Sequence, residues 1–428
     1  MRRLVILALL FGAMKLIEPL GRPDAAPEAL LTFGFLILAA YAAGEIAAQF
    51  KQPKMIGYLV AGVVAGPSVL GTVSSIAAAQ LDAVSALAIA LIAFLAGAEL
   101  DLAELKARGL ALLRLTIVEL GLAALVLFGL ALLLRPWIPF LSDTTTQRAV
   151  LFALLFALIA VMHSPAIVMA ILTETRASGP AARATLAVVL LSEVVVVMLF
   201  SIVLGVAQRI LPGTAAPSGG VWLVIWEIAG SFPVGVVLGI GVASALRMVR
   251  DDRLLFALLA ALLGQQVAAL LHVEVLLTLL VAGFVAVNVA RRDDGVALRH
   301  AMEGAAGPVF VVFFALAGVA IDLPAAFALG LVVAPMVVAR LLALRIGVRL
   351  GRCGLDLSAV QERAVWQGLT AQAGVAIGLV AIVAEAYPEA AVSMRALLLA
   401  FIAVNGTLGP ILFRRALVAA DEVEGNSR

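Results

Sequence analysis

With a single cysteine, Cys353, in 428 residues, the chain can form no intrachain disulfide and no cysteine metal cluster. Histidine is almost as scarce. His163, His272 and His300 are scattered without the spacing of a ligand set, which argues against metal catalysis and leads us to expect no cofactor. Charge is thin too, at 13% against the roughly 25% of soluble domains. The 29 basic residues cluster in short loops, not on one face, and the net charge is only +2, so no nucleic-acid partner is implied. What is abundant is apolar surface. At 64% hydrophobic residues and a mean hydropathy of +1.17, the composition is that of an all-α polytopic membrane protein whose partner is the lipid bilayer.

Apolar runs long enough to cross a bilayer number fourteen, from Leu4–Leu20 to Ala396–Phe413. The basic residues check that count. With the N-terminus inside, cytoplasmic positions hold nineteen Lys and Arg, among them Lys51, Lys54, Arg176, Arg291, Arg292 and Arg414. The other side holds five: Arg22, Arg135, Arg148, Arg209 and Arg395. A miscount of one helix in mid-chain would scramble that bias, so it supports the number and puts both termini inside. Arg2 and Arg3 ahead of Leu4–Leu20 resemble a signal peptide, but no small-residue cleavage site precedes Met14, Lys15 and Glu18, and a retained first helix is expected.

Two strings recur at one offset. LVAG at Leu59–Gly62 returns at Leu280–Gly283, and LAGAELD at Leu95–Asp101 returns as LAGVAID at Leu316–Asp322, each 221 residues on. The copies of LVAG fall in the third and tenth runs, and an odd number of crossings between them reverses their orientation, the mark of an inverted-topology repeat. Extended, this makes 29–206 the first repeat and 251–416 the second, with 207–250 a linker helix, 1–28 an added N-terminal helix and 417–428 a short cytoplasmic tail. The expected fold is about fourteen transmembrane helices in inverted six-helix repeats, with two crossing broken helices.

Residues that could break those helices stand in matching runs. His163-Ser164-Pro165 interrupts Ala149–Leu172, where proline removes an intrahelical hydrogen bond and frees backbone carbonyls. The partner run carries Gln367-Gly368-Leu369-Thr370-Ala371-Gln372-Ala373-Gly374. Together they should bring opposed helix ends and free carbonyls beside Glu193, the acid at the midpoint of Ala181–Gly205. An acid at that depth costs roughly 2.5–3.5 kcal/mol on the scale for the comparable Asp, so a functional role is its default reading. Arg340, also mid-run, needs a partner: Glu193, or Glu119, its own counterpart at the 221 offset, in a purely structural pair. His163 either satisfies a carbonyl freed by Pro165 or carries a proton. Glu99, Asp101 and Asp322 fall near helix ends.

Five strings, in order, are similar to the monovalent cation/proton antiporter superfamily, in its bacterial sodium or potassium/proton exchanger branch. They are QPKMIGYLVAGVVAGPSVLG from Gln52, FLAGAELDLAELK from Phe94, SPAIVMAILTETRASGPAAR from Ser164, VFVVFFALAGVAIDL from Val309 and QGLTAQAGVAIGL from Gln367. The resemblance covers about Leu30 to Phe413. It implies that Glu193 binds the monovalent cation and the proton in turn, with Ser192 in the place of the family's first acid or Asn. With one acid instead of two, it implies electroneutral exchange. By the same resemblance Arg340 is the basic residue of its helix, His163 and Ser164 are the polar residues of one break, and Thr370 and Gln372 those of the other. A homodimer in the bacterial inner membrane follows from the same source. Glu in place of Asp, and His163 in place of a small residue, are departures that bear on which ion is carried. The competing readings are a sodium-coupled organic-anion symporter of similar architecture and a non-transporting relative. An enzyme is not expected, since no motif supplies a second catalytic group.

Overall fold

The computed structural model describes residues 27–73, 81–100, 102–211, 220–247, 253–321, 323–372 and 387–423, with isolated positions between 372 and 387. The run Leu4–Leu20, Asp101, Asp322, Arg209's side chain and the last two residues of the Gln367–Gly374 interruption lie outside the described residues. Among those described, fourteen helices have seven or more residues. They are α1 (Pro27–Gln49), α2 (Lys54–Ala65), α3 (Asp82–Ala98), α4 (Leu102–Leu133), α5 (Thr146–Ala160), α6 (Pro165–Thr175), α7 (Pro180–Ile210), α8 (Gly220–Ala245), α9 (Arg253–Leu270), α10 (Val275–Val289), α11 (Arg292–Val319), α12 (Gly330–Gly351), α13 (Ala359–Gly368) and α14 (Pro388–Ala419). Seven spans among them are long and apolar enough to cross a membrane, or eight if α11 is counted across its 44° bend; α5 and α6 together make one. The protein is a multi-pass membrane helical bundle.

The fourteen helices do not match the fourteen expected runs one for one, since Leu4–Leu20 lies outside the described residues and the break expected in Ala149–Leu172 makes that run two. The expected run Ala149–Leu172 is two helices, α5 and α6, with residues 161–164 non-helical between them. Pro165 explains the stop. It pushes the residue before it out of the helical region, and Ser164 sits extended and caps α6 by accepting a hydrogen bond from the Ile167 N–H. A difference in extent is at α11, expected over Gly307–Ile321 but already helical from Arg292. Its first turns carry Asp293 and Asp294, which favour a helix N-terminus, and the helix bends between Met302 and Ala306.

The helices form two layers. In one, α4 packs along α12, α7 lies against α4, α5 and α13, and α13 lies on α14. In the other, α1 pairs with α2, α2 with α11, α3 with α10, and α10 with α8. α6 meets α3 and α11 across the divide. We call the first layer the core bundle and the second the scaffold.

Glycine sets the scaffold crossings, since lipid tails give apolar helices no hydrophobic reason to associate and close backbone contact must do it instead. A Cβ on Gly62 of α2 would stand 2.0 Å from the Ala315 carbonyl oxygen of α11, and one on Gly318 would stand 2.2 Å from the Leu59 carbonyl oxygen. The crossing of α3 and α10 repeats this: Gly97 faces the Leu280 carbonyl and Gly283 the Phe94 carbonyl, at 1.9 and 2.0 Å for a built Cβ. These four glycines belong to the recurring strings LVAG and LAG. Each copy of one string packs against the opposite copy of the other.

Candidate ion-binding site

The breaks of the two interrupted helices meet inside the core bundle. The Ser164 N–H donates to the Ala371 carbonyl at 3.0 Å, joining one break to the other through the backbone. Gln372, fully buried, donates from Nε2 to the Ile159 and Ala160 carbonyls at the end of α5, at 3.4 and 3.2 Å. α5 and α13 both end here by their C-termini, so partial negative charge converges.

Arg340 of α12 occupies that convergence. It is fully buried, and its Nη1 donates to the Thr370 carbonyl at 2.7 Å and to Asn405 Oδ1 at 3.3 Å. Nη2 donates to the Met162 carbonyl at 3.0 Å and the Leu369 carbonyl at 3.3 Å. The Phe401 ring lies 6.0 Å from the guanidinium carbon. The expected pairing with Glu193 is therefore replaced by the freed carbonyls, a better match for a planar multi-donor cation than one carboxylate. The alternative pairing with Glu119 is indirect. His163 Nε2 stands 3.0 Å from Glu119 Oε1, while Nδ1 stands 2.6 Å from the Leu369 carbonyl and 3.3 Å from Arg340 Nη2. The Leu369 oxygen can only accept, so Nδ1 carries a hydrogen, assigned from the network. α4 and α12 come close enough for this because Gly347 and Gly351 pack on the backbone of Glu119 and Leu115.

Glu193 lies elsewhere, in a cavity of about 110 Å³ between the layers, with room for several waters. The core bundle contributes Glu193, Leu190 and the Ser164-Pro165-Ala166 start of α6; the scaffold wall is apolar and includes Leu276, Leu280 and Phe313. Glu193 Oε1 is buried with no hydrogen-bond donor in reach. An uncompensated carboxylate oxygen facing a water-sized space at the positive end of α6 is suited to a proton or a small cation.

The other sequence candidates divide between the two places. Ser164 belongs to both, since it lines the cavity while its N–H serves the crossing. Ser192 is buried and its hydroxyl donates to the Val189 carbonyl at 2.7 Å, outside the cavity lining. Thr370 contributes its carbonyl to Arg340, and its hydroxyl donates back to the Trp366 carbonyl at 3.2 Å. Glu119 and His163 belong to the crossing. Asn405 of α14 was missed: fully buried, it accepts from Arg340 and donates towards Gln372 Oε1 at 3.5 Å. An amide in the middle of Ala396–Phe413 was the available signal. Glu99, expected near a helix end, stands 3.9 Å from Arg299.

A two-layer membrane bundle with paired helix breaks and a buried carboxylate at a cavity between the layers defines a secondary-transporter architecture. The chain belongs to the sodium/hydrogen exchanger transmembrane family, whose profile matches residues 34–416, a family of transporters and not of enzymes. Its fold is similar to that of the sodium proton antiporter MjNhaP1 from Methanocaldococcus jannaschii, with a TM-score of 0.70 at 17% identity over 92% of this chain and 96% of that one. The structure of MjNhaP1 at pH 8 gives a TM-score of 0.66 with the same coverage. Among curated relatives, the probable Na(+)/H(+) antiporter GerT of Bacillus cereus is 37% identical over 71 residues, 17% of this chain and 18% of GerT. The Na(+)/H(+)-K(+) antiporter GerN of Bacillus cereus is 34% identical over 80 residues, 19% of this chain and 20% of GerN. The chain thus aligns with about a fifth of the length of each curated relative.

Proposed function

We propose that this protein exchanges a monovalent cation, Na⁺ or K⁺, for protons across the bacterial inner membrane, one for one, with both termini in the cytoplasm. The observation that carries the reading is the Glu193 carboxylate, unpartnered at the cavity between core bundle and scaffold. A proton or a cation neutralises it. Because one carboxylate holds only one of the two, the exchange is coupled.

Movement follows from the walls. With Glu193 neutralised, the core bundle slides past the apolar scaffold surface; with it ionised and empty, that passage carries an unpaired charge over hydrocarbon and is costly. Ser164 supplies a second oxygen at the same wall. Arg340, Thr370, Gln372, His163 and Glu119 are assigned to holding the two breaks in register, with Arg340 standing as a tethered cation among carbonyls that would otherwise compete for the transported one. Ser192 takes no direct part. The inverted repeat of 29–206 and 251–416 explains why the glycine crossings come in matched pairs, and a homodimer is the assembly we expect from the family.

Vesicle flux tests the assignment. An imposed proton gradient should drive Na⁺ or K⁺ movement in the wild type, and Glu193→Gln should abolish it in protein that still folds. Undiminished exchange in that variant would overturn the role of Glu193.

A further inference from the structure

We infer that Glu174 is a gating residue: its carboxylate, carried on the core bundle, latches onto the free N-terminus of scaffold helix α2 and closes the approach to the cavity from that end. The inference rests on the exchange reading above for its consequence, and on geometry for its existence. α2 begins at Lys54 behind Pro53, which has no side-chain acceptor, so the helix lacks a cap of its own. Glu174 supplies it from 120 residues away, accepting from the Lys54 N–H at 3.1 Å through Oε1 and 2.9 Å through Oε2. Glu174 sits one residue from the end of α6, the half-helix whose other end, Ser164-Pro165, lines the Glu193 cavity. The latch and the binding site are thus opposite ends of one eleven-residue rod.

The receiving side is fixed to the scaffold. α1 and α2 pack without room for side chains at Gly44, which abuts the Tyr58 ring, and at Gly57, which abuts the Ala43 carbonyl. Lys54 Nζ is held by Glu45 of α1. A second tie joins the layers at the same end: Arg414 of α14, in the core bundle, donates to the Lys51 carbonyl in the α1–α2 turn. Lys51 has a positive φ of 55°, and the turn it makes presents that carbonyl. Lys51, Lys54 and Arg414, which make both ties, are among the basic residues that the sequence pattern assigns to one side of the membrane. Any movement of α6 and α14 against α1 and α2 that opens this end must break them, and any that closes it can remake them.

Two measurements in a Cys353→Ser background test this without requiring flux. With Ala166→Cys reporting from the cavity, Glu174→Ala should raise labelling by a membrane-impermeant thiol reagent applied from the Lys51 side by about tenfold, the population shift that losing one charge-assisted hydrogen bond, shared between the two carboxylate oxygens, allows. Glu174→Gln, which keeps one acceptor oxygen, should fall between. Joining Glu174→Cys to Lys54→Cys with a short bismaleimide should suppress that labelling and stop transport. Unchanged labelling in Glu174→Ala, or full accessibility in the cross-linked protein, would overturn the latch. Labelling that shifts as expected, together with an unsubstituted protein that exchanges no cation, would uphold the latch and remove the exchange reading instead.

Discussion

At the scale of single residues, the cost of charge in hydrocarbon made Glu193 and Arg340 legible from sequence, because neither can be carried at mid-bilayer depth without compensation. Their partners were not legible. Which way a side chain points depends on the rotation of its helix, set by contacts made hundreds of residues away, and successive helical residues point about 100° apart. Glu193 therefore faces the cavity while Ser192 turns into its own helix. Sequence alone pairs Arg340 with a carboxylate because it displays carboxylates and hides carbonyls. With its freed carbonyl and amide acceptors in view, truncation has a definite expected cost. Arg340→Ala should lower stability by about 3–5 kcal/mol, as removal of one partner from a buried charged network does. Arg340→Lys should recover part of that, since a point charge cannot span four acceptors. Thermal unfolding in detergent reads this directly, and an Arg340→Ala protein as stable as the wild type would show that the guanidinium does not hold the crossing.

At the scale of elements, helix stops were the most readable feature. Pro165 and the Gly368 region announce themselves by backbone chemistry alone, and the structure breaks both runs there. The early start of α11 was hidden, because Arg292–Met302 is too polar to register as an apolar run and yet is helical. The recurring glycines were readable as a repeat but not as contacts, since sequence gives an offset and not which copy meets which. Their packing yields a contrast. Gly62→Ala must push its methyl into the Ala315 carbonyl, backbone that cannot give way, whereas a Cβ at Gly34 of α1 meets nothing within 4 Å. Gly62→Ala and its counterpart Gly283→Ala should each destabilise by about 1–3 kcal/mol, the usual cost of overpacking. Gly34→Ala should be neutral or stabilising by up to ~1 kcal/mol through helix propensity. Equal unfolding temperatures for all three would refute the close crossings.

For the whole molecule, the account is one of two layers sliding past an apolar wall, with coupling enforced by what that wall will not tolerate. Making the wall polar should weaken the coupling while leaving the carrier group intact. Leu280→Asn, close in size and set in the cavity lining, should let ionised Glu193 cross and so produce a proton leak without cation counterflow. A Leu280→Asn protein with tight coupling would argue that the scaffold surface does not police the empty carrier. Composition announced a membrane bundle, yet the division into layers was not written in any one run, because it arises from which helices choose each other.

The claim beneath all of this is that H⁺ and the transported ion contend for one carboxylate, and proton release on cation binding measures it most directly. Titrating purified protein with Na⁺ or K⁺ in buffers of different ionisation enthalpy, at a pH where Glu193 is mostly protonated, should release about one proton per cation bound, with cation affinity falling about tenfold per unit of pH below that point. Glu193→Gln should release none. Cation binding of unchanged affinity with no proton set free would contradict the account.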